Sequence, residues 1–185
     1  MHLAQVSEAA PAVRVAHAGD AEPLAALAER TFRATFAPHN RDENVALHCA
    51  RTYGAAIQAA EIAEPGRTTV VADLAGTLVG YAQLRWGSPP SCVVATRAAE
   101  IQRIYVDAPW HGRGVAQALM AAMLAHARAG GADRVWLGVW EHNPRARTFY
   151  RRWGFRDIGE HAFRLGEEIQ RDLVLVRELG VEGSG

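Results

Sequence analysis

The 185-residue chain sets 20 Lys and Arg against 20 Asp and Glu, a formal net charge of zero, and is 49% apolar and 22% charged. That is the size and composition of one globular domain with a single sizeable core, and the neutral balance gives no electrostatic footprint for DNA, RNA or a membrane surface as partner. The opening "MHLAQVSEAAPA" lacks a basic stretch followed by an apolar core, no apolar run approaches a membrane span, and Cys49 and Cys92 have no metal or redox spacing, so a reducing cytoplasm is the expected location.

In chain order, residues 1–12 read as a flexible terminus and "VRVA" at Val13–Ala16 as a short strand. Asp20 can cap the helix that follows, with Pro23 in its first turn and "LAALAERTFRATF" as its body. Residues 42–63 read as one or two further helices, interrupted near Gly54. "RTTVVADLAGTLVGYAQLRWG" predicts a hairpin turning at Ala75–Gly76, because β-branched runs flank a turn dipeptide. "SPPSCVVATR" is a loop, and "AEIQRIYVD" is a strand that ends where the glycines of "HGRG" begin. Val115, Leu119, Met123 and Leu124 then recur at helical spacing up to Gly130–Gly131. In "RVWLGVW", Val135, Leu137 and Val139 share one face of a strand. "NPRARTFYRRWGF" predicts a helix capped by Asn143, with Pro144 first and Gly154 at its end. "RDIGEHAFRLG" and "QRDLVLVREL" can pair as a terminal hairpin, and residues 179–185 read as a second flexible terminus. The order β, α, α, β, β, β, α, β, α, β, β makes one α/β (α+β) domain, residues 13–178, around a mixed, largely antiparallel sheet.

The stretch that carries chemistry is "YVDAPWHGRGVAQALM", Tyr105–Met120. Glycines between a strand and a helix let backbone N–H groups close around an anion, helped by the positive end of the helix dipole. A Walker-type loop needs Gly-Lys-Ser/Thr, which "HGRGVAQ" lacks. A dinucleotide turn needs a third glycine where Gln117 stands and an acidic residue closing the next strand, which instead ends in Val139–Trp140–Glu141. What remains is a cradle formed by the backbone of Gly112, Arg113 and Val115 beside the small residues Gly114 and Ala116, able to hold a pyrophosphate without a lysine. A tight turn that merely starts a helix is the plain alternative.

"IQRIYVDAPWHGRGVAQALM" followed by "LGVWEHNPRARTFYRRWGF" resembles the GCN5-related N-acetyltransferases, the GNAT family, and the resemblance extends over residues 13–178. The family signature Gln/Arg-x-x-Gly-x-Gly/Ala reads His111-Gly112-Arg113-Gly114-Val115-Ala116 here, with His111 departing at the first position. Within the family, "TFRATFAPHN", "EIQRIYV", "LGVWEHN" and "GEHAFRLG" are similar to the PaiA type of polyamine N-acetyltransferase. The resemblance implies the GNAT fold, with about seven strands in the central sheet and helices on both faces. It implies acetyl-CoA as co-substrate, bound by His111, Gly112, Arg113, Gly114, Val115 and Ala116. The backbone of Val106 would bond the pantetheine, the N–H of Ile104 would face the acetyl oxygen, and Asn143 would lie beside the pantetheine. Tyr150 would protonate the departing sulfur, and Glu100 would be the general base. Phe32, Phe36 and Asn40 would form the acceptor wall.

The expected acceptor is a primary amine of a small molecule, with spermidine or spermine as the finer expectation. A polyamine pocket wants convergent carboxylates, which Glu43, Glu61 and Glu64 could supply. No metal is expected, since His111 and His142 lack ligand spacing with any Cys or carboxylate, and the chain is expected to act as a monomer or homodimer. The residues themselves leave alternatives open. Tyr150 also continues an Ala146, Phe149, Trp153 core stripe, and Asn143 can be a cap alone. Strand alternation puts Glu100 on one face with Gln102 and Ile104, where it can be a plain surface carboxylate. Glu141, His142, His161 or water are the other base candidates. The rival functions are acetylation of a protein N-terminus or lysine, and a non-catalytic acyl-CoA-binding sensor. Tyr150 and Glu100 together argue against the sensor.

Overall fold

The computed structural model describes residues 10–180, so the flexible termini expected at 1–12 and 179–185 lie almost wholly outside the described residues. Seven strands form one sheet in the order β1-β2-β3-β4-β5-β7-β6: β1 Ala12–Val15, β2 Arg67–Leu74, β3 Thr77–Trp86, β4 Ala98–Val106, β5 Arg134–Trp140, β6 Arg156–Leu165 and β7 Glu168–Glu178. The helices are α1 Ala21–Phe36, α2 Asp42–Thr52, α3 Ala55–Ala63, α4 Val115–Ala129 and α5 Pro144–Arg152. Every pairing is antiparallel except that of β4 with β5. Among the described residues, no helix is long and apolar enough to cross a membrane.

The apolar periodicities bury as two layers. Leu119, Met120, Met123 and Leu124 of α4 pack with Tyr150 of α5 on the sheet face that presents Val135, Leu137 and Val139. Leu24, Leu27 and Phe32 of α1 and Val45 and Cys49 of α2 pack on the other face against Val71, Tyr81 and Leu165. Asp20 precedes α1, but its carboxylate does not cap that helix. It accepts from both Arg14 guanidinium nitrogens at 2.7 and 2.8 Å and from the His17 N–H at 2.8 Å. The expected cap is therefore a buried anchor that ties β1 to the start of α1.

Two features of β4 position the site. Gln102 is an extra residue in the β3–β4 register, a bulge between Ile101 and Arg103. Bulges reset the alternation of side chains and bend a strand. Ala99 and Ile101 face the α4 layer, and beyond the bulge so do Ile104 and Val106, while Tyr105 turns to the α1 side. The expectation that Glu100, Gln102 and Ile104 share a face is thus wrong: Glu100 and Ile104 point to opposite faces. The second feature is that β4 pairs with β5 only at Ala98–Glu100 against Arg134–Trp136. The two strands then diverge. A wedge opens at the carboxyl ends of adjacent parallel strands, where the N-termini of α4 and α5 also converge, and this is where ligands bind in open sheets of this kind.

Candidate active site

The cradle begins where β4 ends. The Asp107 N–H donates to the Val79 carbonyl on β3 at 2.9 Å, and Arg30 donates to the Asp107 carboxylate at 2.9 and 3.0 Å, which pins the strand end. Gly112 and Gly114 have φ of +77° and +82°, a left-handed conformation that costs any other residue steric strain. A Cβ at either position would meet nothing within 4 Å, so backbone conformation and open space, rather than crowding by the chain, select glycine. Gly114 immediately precedes α4, so the first N–H groups of that 15-residue helix have no acceptor within it and face outward with the positive end of the dipole. The Val115 side chain is buried in the core, leaving its backbone to any ligand.

His111 does not extend into solvent as a free phosphate contact. Its Nδ1 accepts from Arg145 at 3.0 Å, so its Nε2–H donates to the Val106 carbonyl at 2.8 Å. The ring thereby brings the Arg145 guanidinium from the first turn of α5 to the cradle. Arg145 is a residue that sequence reasoning missed, because nothing local links it to position 111.

Behind the cradle the wedge is a cleft of about 380 Å³. It brings together Ile104, Val106, His111, Ala116, Asn143, Tyr150 and Phe36 from the expected set, together with Arg103, Tyr105 and Trp140. Because the Asp107 N–H points to β3, strand alternation turns the amide groups of Val106 and Ile104 the other way, toward the gap. Asn143 caps α5 by accepting from the Ala146 N–H at 3.1 Å. Two turns on, Tyr150 lies on the same face; burial, with the nearby Tyr105 phenol adding to it, holds its phenol well above the usual range. It therefore stays protonated at physiological pH.

The acceptor side departs from expectation. Phe36 lines the cleft, but Phe32 lies behind it, stacked on Phe36 at 4.4 Å and on His48 at 4.3 Å. Burial, assisted by the Arg103 charge, pushes His48 down to about 4, so it is a neutral core ring. Asn40 donates to the Phe36 carbonyl at 2.7 Å and accepts from Gln170, fixing the loop between α1 and α2. Arg103 donates to Glu61 and to Gln83, each at 2.6 Å. Burial works to raise Glu61, but the Arg103 bond and charge outweigh it and hold the carboxyl below its usual range. Removing Arg103 still leaves Glu61 with Arg67 at 3.4 Å, whereas removing Glu61 leaves the buried Arg103 charge unbalanced, at a cost of about 3–5 kcal/mol.

The carboxylates expected to converge on a polyamine do not. Glu61 is engaged by Arg103 and Arg67, Glu64 by Arg67, Glu43 is exposed on α2, and none lines the cleft. Glu100 is also outside the cleft lining, paired with Arg85. Glu100→Gln is accordingly expected to keep turnover within about threefold of wild type, measured by thiol release, instead of the 10²–10⁴-fold loss that follows removal of a general base. Glu141 is paired with Arg171 at 2.9 Å, His142 is exposed, and His161 lies on β6 with its Nε2 buried. Among the described residues there is no group of three or more His, Cys, Asp or Glu able to hold a metal ion.

Comparison with known proteins agrees with this architecture. Residues 24–155 match the acetyltransferase (GNAT) family. An uncharacterized N-acetyltransferase of Mycobacterium tuberculosis is 39% identical over 160 residues, covering 86% of this chain and 98% of that one. The N-alpha-acetyltransferase RimI of the same organism is 37% identical over 100 residues, 54% of this chain and 58% of its own. The crystal structure of PaiA N-acetyltransferase from Thermoplasma acidophilum in complex with coenzyme A superposes with a TM-score of 0.74 at 18% identity, over 91% of this chain and 98% of that one. The chain belongs to the GNAT family and is an acetyl-CoA-dependent N-acetyltransferase.

Proposed function

We propose that the acceptor is the primary amine of a small molecule with one cationic group and an apolar body. The observation that carries this reading is the wall: Phe36, Tyr105 and Trp140 line the acceptor side of the cleft, Arg103 there is balanced by Glu61, and the carboxylates a polycation needs are engaged by arginines. A polyamine must replace the lost hydration of several ammonium groups at once, and this wall offers it little.

The chemistry follows from the same residues. The cradle and Arg145 hold the pyrophosphate of acetyl-CoA, and the outward amides of Val106 and Ile104 take the pantetheine and the acetyl oxygen. A single N–H is a modest oxyanion donor, which suffices for a reactive thioester. The amine attacks the carbonyl carbon, and Tyr150 gives its proton to the sulfur as the carbon–sulfur bond breaks. An acceptor panel with acetyl-CoA, reading thiol release and acetylated product, tests the acceptor. Arylalkyl and alkyl monoamines are expected to exceed spermidine and spermine in kcat/KM by about tenfold, the scale of one poorly satisfied buried charge. Polyamines outperforming monoamines, or reaction only with peptide N-termini or lysines, would overturn this acceptor class.

A further inference from the structure

We propose that Asp172 and His161 form the site that receives the acceptor ammonium and takes its proton, an inference that rests on the acetyl-transfer reading above. The two residues stand directly opposite each other in the β6–β7 register, on the α1 side of the sheet. Asp172 is only 9% exposed, and its Oδ1 is buried without a hydrogen-bond partner, as is Nε2 of His161. The floor beneath them is Gly138 of β5. A Cβ there would come within 2.6 Å of His161 Nε2 and 3.2 Å of Asp172 Oδ2, so both groups aim at one spot that glycine leaves open. Gln170, on the same face of β7, contributes a third buried unpartnered atom, Oε1. Folded proteins rarely leave buried polar atoms unpaired. A row of two acceptors and an imidazole nitrogen has the chemistry of an ammonium site.

The row is not part of the cleft lining itself but borders the wedge through its strand neighbours. β4 leaves β5 after Trp136, so Gly138 stands beside the gap. Trp140 pairs with Asp172 in the β5–β7 register and lines the cleft. Tyr105, on the opposite wall, is held well above its usual range by burial, against which Arg103 acts and to which the Asp172 charge adds. The ionisable groups around the pair are thus Tyr105 on β4 and the Glu141, Glu160 and Arg171 cluster on the outer side of the hairpin. Burial pushes the Asp172 carboxyl up to about 7, suited to accepting a proton at neutral pH.

The step balances as follows. The ammonium passes one proton to the Asp172 carboxylate, directly or through His161. The freed nitrogen lone pair forms the carbon–nitrogen bond to the thioester carbon, and the carbon–sulfur bond breaks with its electron pair on sulfur. Tyr150 protonates that sulfur, and the second proton lost by the nitrogen restores the phenol. Asp172 returns its proton to solvent, so the net products are the N-acetyl amine, the thiol and one proton.

Asp172→Asn tests this across pH, with an amine that the wild type acetylates. At neutral pH kcat/KM should fall about 100-fold, and at alkaline pH, where the acceptor is already a free amine, the deficit should shrink to about fivefold, with acetyl-CoA KM unchanged. The stability readout has a definite sign. The folded carboxyl sits above its unfolded value, so its ionisation weakens the fold progressively as pH rises from about 4 to about 7. Asparagine removes that effect, so the variant should melt above wild type at neutral pH, with the gain vanishing at about pH 4. A deficit equal at every pH, no deficit, or a lower melting temperature at neutral pH would overturn the proposal. A wild type that acetylates no amine would overturn the transfer reading, and this inference with it.

Discussion

Tyr150→Phe is expected to lower turnover by about 10²–10⁴-fold while leaving acetyl-CoA affinity within about twofold of wild type. The phenol lines the cleft on the α5 face that also carries Asn143, and its burial keeps it protonated. The ring packs edge-on against Phe149 and Phe155 at 5.5 and 6.0 Å. Phenylalanine keeps those ring contacts and removes only the hydroxyl that carries the proton. A leaving thiolate then has to find its proton from water. Stopped assays of thiol release give turnover, and a calorimetric titration gives affinity. Turnover near wild type would make Tyr150 a plain member of the Ala146, Phe149, Trp153 stripe.

Gly114→Val is expected to weaken acetyl-CoA binding by about 10–100-fold, the loss of one or two charge-assisted hydrogen bonds. The left-handed φ of +82° at the start of α4 costs a residue with a Cβ about 1–2 kcal/mol, and a β-branched side chain more. The loop relieves that strain by rotating the first amides of α4 away from the pyrophosphate. The space beside Gly114 is open within the chain, so the core is untouched and melting should drop by only a few degrees. Unchanged affinity in calorimetry would mean that the loop merely starts a helix.

The parts of this molecule set by local sequence were legible. Periodicity put Val135, Leu137 and Val139 on one core face, Asn143 capped its helix, and the last two strands paired as a terminal hairpin. The glycine turn was legible because two glycines beside a strand end have a local conformational cause. What was missed depends on contacts distant in sequence. The face of Glu100 was misread because the bulge at Gln102 reverses the alternation that its placement assumed, and no residue type marks a bulge. Asp20 reads as a cap, yet Arg14 and His17 claim its carboxylate. Glu61 reads as a carboxylate for a polyamine, yet Arg103 of β4 and Arg67 of β2 reach it. Asp172 could not be found from its own neighbourhood in sequence. Its surroundings exist only because β7 inserts between β5 and β6 and so sets it over Gly138 and beside His161.

The central claim is that the split between β4 and β5 is where acetyl-CoA binds, and a crystal structure of this chain grown with coenzyme A tests it most directly. The account predicts pyrophosphate against the backbone of residues 112–116 with Arg145 alongside, pantetheine between the Val106 backbone and α5, and the thiol beside the Tyr150 phenol. Coenzyme A bound outside the wedge, or inside it with the thiol remote from Tyr150, would contradict it.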